Sequence, residues 1–219
     1  MSKQNKAILI IAVILIAVGL ILMARESKAP QNNNGQTIKP VDQADHLLGD
    51  ANAPVKIIIY SDFQCPFCAE FAQTLKRVEQ EFKDKVVMVF RHYPLPGHQE
   101  AEPAAEASEC AAEQGKFWQM HDKLFADNLA GRLSQEQYKQ DAADLGLEQN
   151  KFNQCLDSGQ YQDKIKQQKA EGAIAGVTGT PTFFINNYIY PGAYPLDDFT
   201  ASDGRPEKGM KSIISELLK

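Results

Sequence analysis

Residues 55–68 read VKIIIYSDFQCPFC. Val55 to Tyr60 is an apolar, β-branched run, the mark of a strand buried on both faces. From Pro66 the period changes. Phe67, Phe71, Leu75, Val78 and Phe82 recur at intervals of 4, 4, 3 and 4, one stripe of an amphipathic helix. Pro66 suits the first helical turn, where its missing N–H costs nothing. Val86 to Phe90 is a second apolar run. The three pieces, joined by short connections, predict a strand–helix–strand unit.

Cys65 and Cys68 stand where that strand gives way to that helix. Free N–H groups and the dipole at a helix N-terminus stabilise a thiolate. Cys65 is therefore the expected nucleophile. Cys68, one turn later, can close a disulfide with it or resolve a mixed one. The competing readings are a static disulfide and a zinc site. Zinc needs a second ligand pair, and the histidines (His46, His92, His98 and His121) show no ligand spacing. No metal and no cofactor are expected; the redox group is the Cys65–Cys68 pair itself.

Downstream, residues 99–176 lose strand character. Ala104, Ala105, Ala107, Ala111 and Ala112 favour helix. Ser134 to Gln137 matches a capping box, and a last helix is expected over roughly 160–175. Strand returns at Thr182–Ile185, with Asn186-Asn187 as a hairpin turn and Tyr188–Tyr190 pairing back. Met210, Ile213, Ile214 and Leu217 mark a final helix. The expected order is βαβ, a helical insertion, then ββα. Thr180-Pro181 precedes a strand, a restricted place for proline. A cis bond there would present the Thr180 backbone to an extended peptide, a trans bond would make an ordinary turn, and the residues leave both open.

Upstream, Ala7–Ala24 is an unbroken apolar run of 18 residues, flanked by Lys3 and Lys6 before and Arg25 and Lys28 after. As a helix it spans roughly 27 Å, enough for a bilayer core. Residues 1–24 are expected to be a transmembrane anchor, with a cleaved signal peptide as the alternative; the exit Leu22-Met23-Ala24-Arg25 is a poor cleavage site. Residues 25–45 are polar and aperiodic, a flexible tether. The domain is expected on the extracytoplasmic side. The chain has 219 residues and net charge −5; an acidic domain without a basic block does not suit nucleic acid. Export lets disulfides persist, so Cys110 and Cys155 are expected to form a structural disulfide, against the alternative of two buried thiols.

Four segments carry a family resemblance: GDANAPVKIIIYSDFQCPFC (49–68), RHYPLPGH (91–98), FWQMHDKLF (117–125) and GVTGTPTFFIN (176–186). In this order they resemble the DsbA-like thioredoxin family over residues 46–219. The resemblance implies an α/β thioredoxin fold with an inserted helical domain at about 99–176, preceded here by the transmembrane helix. It implies Cys65 as nucleophile, Cys68 as resolving thiol, and Thr180-Pro181 as a cis-proline loop beside them. The active-site dipeptide is Pro66-Phe67, where the best-known periplasmic oxidant has Pro-His. Phe67 lacks the electrostatic help a histidine gives the thiolate.

Asp62, three residues before Cys65, reads either as a proton shuttle for Cys68 or as a loop cap. His92 and His98 flank a Pro-rich joint and read as structural. His121, between Phe117, Trp118 and Phe125, reads as packing. The expected function is thiol–disulfide exchange with unfolded or reduced exported proteins. The family implies a membrane redox partner, DsbB-like or vitamin K epoxide reductase-like. The alternatives are a membrane-tethered reductase or isomerase, and a non-catalytic thioredoxin-fold chaperone or binding module, against which the intact CxxC argues.

Overall fold

The computed structural model of the chain describes residue 35 and residues 37–219. The anchor expected over 1–24 lies outside the described residues, as do residues 25–34 of the tether. No helix among the described residues is long and apolar enough to cross a membrane.

The strand–helix–strand unit forms as its periodicity demands. β1 (His46–Gly49), β2 (Val55–Ser61), β3 (Val86–His92), β4 (Thr182–Ile185) and β5 (Tyr188–Pro191) make one sheet in the order β1-β3-β2-β4-β5. β2 and β3 are parallel; the other pairs are antiparallel. Alternate residues of β2 serve opposite faces. Val55, Ile57 and Ile59 pack on Phe71, Leu75 and Val78 of α1 (Pro66–Phe82), and Ile213 and Ile214 of α7 (Met210–Leu217) join them. Ile58 and Tyr60 face the other way, toward Val89, Phe184 and Val177. Both faces are covered, so the strand reads as one continuous apolar run.

The insertion holds five helices: α2 (Ala101–Ala112), α3 (Phe117–Leu129), α4 (Gln135–Asp144), α5 (Gln149–Ser158) and α6 (Gln162–Ile174). Ser134 Oγ accepts the Gln137 N–H at 3.2 Å, the expected cap of α4. The core of the insertion is continuous with Phe63, Cys65, Cys68 and Phe90. The two cysteines thus sit on the seam between sheet and insertion. One close approach fixes α6 on the sheet: a Cβ on Gly172 would lie 2.8 Å from the Tyr60 ring.

Three features depart from the sequence expectation. His46–Gly49, without β-branched residues, gives no strand signal; β1 is an edge strand antiparallel to β3. A two-strand ribbon, β6 (Phe199–Thr200) and β7 (Pro206–Glu207), adds to the C-terminal part. The last residues of the expected tether, 38–45, dock on the domain. Ile38 is buried, and Asp45 pairs with Arg91 at 2.8 Å. Arg91 is fully buried. It donates to both Asp45 carboxylate oxygens, the Lys39 and Pro40 carbonyls and the Tyr60 hydroxyl. All five of its donors are satisfied, which ties residues 39–45 down. Asn186 and Asn187 turn with φ of 45° and 75°, the positive values a two-residue hairpin needs.

Candidate active site

Cys65 is the N-cap of α1, with extended φ and ψ of −73° and 122° and no side-chain capping bond. Its sulfur is therefore free to face the backbone N–H groups of Phe67 and Cys68 in the first turn. The structure holds Cys65 and Cys68 as two thiols, both buried. The Cys65 thiol is lowered from 9.0 to about 6, foremost because Cys68 donates to it. Burial opposes this, and the backbone N–H groups of Cys68 and Phe67 and the Thr180 side chain support it. Cys68 is pushed well above its ordinary value by burial and by its bond to Cys65. The two thiols therefore differ sharply, one poised to attack and one holding its proton.

The third component comes from the far end of the chain. The Thr180–Pro181 peptide is cis, and the Cys65 thiol donates to the Thr180 carbonyl at 3.4 Å. Pro181 is buried, and its carbonyl accepts the Gly192 N–H at 2.8 Å. Thr182 Oγ1 donates to the Gly179 carbonyl at 2.7 Å. The loop is therefore held from both sides against Cys65. Phe67, in contrast, is 61% exposed and presents an apolar ring beside the buried sulfur.

Asp62 has the partners of a loop cap. Its carboxylate accepts the Gln64 and Leu95 N–H groups at 2.7 and 2.8 Å, and His98 Nδ1 at 2.7 Å. Its backbone carbonyl accepts the Cys65 N–H at 3.1 Å. These bonds shape the turn that delivers Cys65 and join it to the 91–98 segment. His92 is buried against Glu109, which also takes His46 and Lys164. Both histidines of that segment are thus engaged in structure.

Cys110 and Cys155, on α2 and α5, are joined in a disulfide across a sequence separation of 45. Among the described residues no group of three or more His, Cys, Asp or Glu is placed to hold a metal ion.

Two site residues carry no sequence signal. Asn128, near the end of α3, donates to the Phe63 and Cys65 carbonyls at 2.8 and 3.1 Å. It clamps the cysteine turn onto the insertion from 63 residues away. Ser61, at the end of β2, hydrogen-bonds the Cys68 thiol and favours its ionised form. A lone polar residue at a helix end or a strand end is too common to single out without the tertiary contact.

A family model described as Thioredoxin matches residues 42–202. Curated proteins similar to the chain include Na(+)/H(+) antiporter NhaA 3 of Salinispora tropica. It is 36% identical over 165 residues, covering 74% of this chain and 25% of that protein. Na(+)/H(+) antiporter NhaA of Herminiimonas arsenicoxydans is 35% identical over 163 residues, covering 74% and 26%. The chain thus spans about a quarter of the length of these relatives. Among solved structures, Wolbachia pipientis alpha-DsbA1 is 25% identical with a TM-score of 0.62, covering 81% of this chain and 92% of that one. Oxidised BdbD from Bacillus subtilis has a TM-score of 0.69 at 20% identity, covering 87% and 99%; this likeness speaks to the fold.

Proposed function

We propose, on the premise that the chain belongs to the thioredoxin family and is a DsbA-like thiol–disulfide oxidoreductase, that it passes its Cys65–Cys68 disulfide to exported proteins as they fold. The observation that carries the direction is the lowered thiol of Cys65 beside the raised thiol of Cys68. A stabilised Cys65 thiolate favours the reduced form of the pair, which makes the disulfide the better electron acceptor. A substrate thiolate attacks Cys65, and Cys68 leaves. The second substrate thiol then attacks the mixed disulfide and releases Cys65 as its stable thiolate. The Thr180 carbonyl beside Cys65 offers an extended substrate a main-chain partner, and exposed Phe67 offers it an apolar contact.

In this reading the substrates are unfolded or reduced proteins outside the cytoplasm. The enzyme is held to the membrane by residues 1–24 and reoxidised by a DsbB-like or vitamin K epoxide reductase-like membrane protein. The apolar run and poor cleavage site support the anchor. The relatives named as Na(+)/H(+) antiporters support a place at the membrane for such a domain. Their ion transport is not carried over, since the chain matches about a quarter of each.

Equilibration of the Cys65–Cys68 pair with glutathione tests the direction. The expected potential is more oxidising than the roughly −270 mV of thioredoxin, and Cys68→Ala is expected to trap substrates on Cys65. A potential at or below thioredoxin's would assign the chain to disulfide reduction instead. Carbonate washing tests the anchor: the full chain stays with membranes, and a mature N-terminus near residue 25 would overturn that part.

A further inference from the structure

Cys68 presents a chemical problem that its neighbours in sequence leave unsolved. It is 1% exposed and holds its proton well above the ordinary range. Yet it must lose that proton each time it resolves a mixed disulfide on Cys65, and regain it each time it leaves. Asp62 is engaged by three donors on the loop side. On the other side of the thiol there is open space.

A cavity of about 230 Å³ opens behind Cys68, between α1 and α3 over the sheet. Its walls are apolar, among them Ile59, Phe71, Met88 and Phe90. Its polar lining is Cys68 and Ser61, then His121, Gln119, Asp122, Lys76 and Glu79. The space is many times what one water needs, and polar partners line it. Glu79 lies 11 residues along α1 from Cys68, about 16 Å down the helix axis, too far to serve it directly. His121 is at the right end. Its ring packs edge-on against Phe63, two residues before Cys65, at 5.8 Å, and against Phe125 at 4.9 Å. Phe90, Phe117 and Trp118 also pack around it, and the polar groups beside it are Asp122 and those lining the cavity. His121 Nδ1 is 2.9 Å from Asp122 Oδ1, whose side chain is 65% exposed. A carboxylate accepting the Nδ1 proton leaves Nε2 as the lone-pair nitrogen.

We infer that His121, oriented by Asp122, carries the Cys68 proton to and from solvent through this cavity. The inference rests on Cys65 being the attacking thiol. In the resolving step, water in the cavity passes the Cys68 proton to His121 Nε2. The Cys68 thiolate attacks Cys65 Sγ, the Cys65–Cys68 bond forms, and the bond from Cys65 to the outer sulfur breaks. The electron pair leaves with that outer thiolate. His121 releases a proton from Nδ1 toward exposed Asp122. In the reverse direction the same imidazole returns a proton to the departing Cys68. Burial holds His121 below its ordinary range, against the pull of Asp122, so it waits as the neutral base. The histidine read from sequence as packing therefore has a second task.

Stopped-flow oxidation of the reduced full chain by oxidised glutathione separates the two steps, read by Trp118 fluorescence. The rate first rises with glutathione, set by Cys65 attack, then reaches a plateau set by Cys68 resolution. His121→Gln is expected to lower the plateau about tenfold or more near pH 7 and to leave the initial slope unchanged. Its plateau should climb with pH where the unsubstituted chain has levelled off. Imidazole in the buffer should raise the plateau of His121→Ala. Asp122→Asn, altered at an exposed side chain, should show a smaller loss in the same phase and serves if the histidine variants do not fold. An unchanged plateau in these variants, or an equal fall in slope and plateau, would overturn the inference. If mass spectrometry places the first glutathione adduct on Cys68 instead of Cys65, the assignment of the attacking thiol fails, which is a separate result.

Discussion

Lowering Cys65 from 9.0 to about 6 makes the stability of the reduced protein depend on pH in a calculable way. A thiol depressed in the folded state stabilises that state fully above its unfolded value and loses the effect as pH falls through its folded value. The window therefore runs from about pH 9 down to about pH 6. At about 1.4 kcal/mol per unit, the thiolate contributes about 4 kcal/mol above the window, about 1.4 kcal/mol at pH 7, and nothing below about pH 5. Cys68 is raised, so its own contribution is lost only as pH climbs past the ordinary thiol range, outside the window of interest. The oxidised protein has neither thiol at this site. Subtracting its stability removes the carboxylates and histidines common to both forms. The assay is urea unfolding of both forms from pH 5 to pH 8. The reduced form is expected to gain on the oxidised form by about 3 kcal/mol across that range. The pH 7 share corresponds to roughly 30 mV of oxidising power. Cys68→Ala removes the largest cause of the shift, so the thiolate absorbance of Cys65 should titrate higher in that variant. Parallel stability curves for the two forms, or an unmoved titration in Cys68→Ala, would refute the reasoning.

Three further outcomes follow from the contacts. Arg91→Ala leaves Asp45 buried and unpaired and should cost about 3–5 kcal/mol, with residues 38–45 becoming accessible to protease. Asn128→Ala removes the donor shared by two carbonyls of the cysteine turn. It should cost about 1–2 kcal/mol and broaden the Cys65 titration, whereas a stability within error of the unsubstituted chain would mean the clamp is idle. Replacing Cys110 and Cys155 by Ala opens a disulfide spanning 45 residues. It should lower stability by up to about 4 kcal/mol, and mild reduction of the intact protein should free Cys65 and Cys68 first in thiol-labelling mass spectrometry.

Much of the scaffold is legible in the sequence. Val55–Tyr60, the Phe71–Leu75–Val78 stripe and Val86–Phe90 announce themselves because burial acts on residues that are neighbours in the chain, and local period records it. The CPFC motif could be placed at a helix start for the same reason, and with it the asymmetry between its two thiols. The alanine-rich run after residue 100 and the Ser134 cap located the helical insertion. β1 and the β6–β7 ribbon could not be read, since His46–Gly49 lacks the β-branched and aromatic residues that mark Thr182–Ile185, and strands of two residues leave no period to detect. What the tertiary structure alone decided is which distant groups meet the sulfurs. Thr180 reaches Cys65 across 115 residues and Asn128 across 63. His121 comes to share a cavity with Cys68, and Asp62 turns to His98 and the loop. Arg91, an ordinary surface residue by composition, is buried among partners on two other segments, residues 39–45 and β2. Local periodicity records how a segment meets water and core; it does not record which side chains from other segments fill the space opposite. Pairings of that kind arise only when the sheet and the insertion close on each other, and at this seam they set the chemistry of the two thiols.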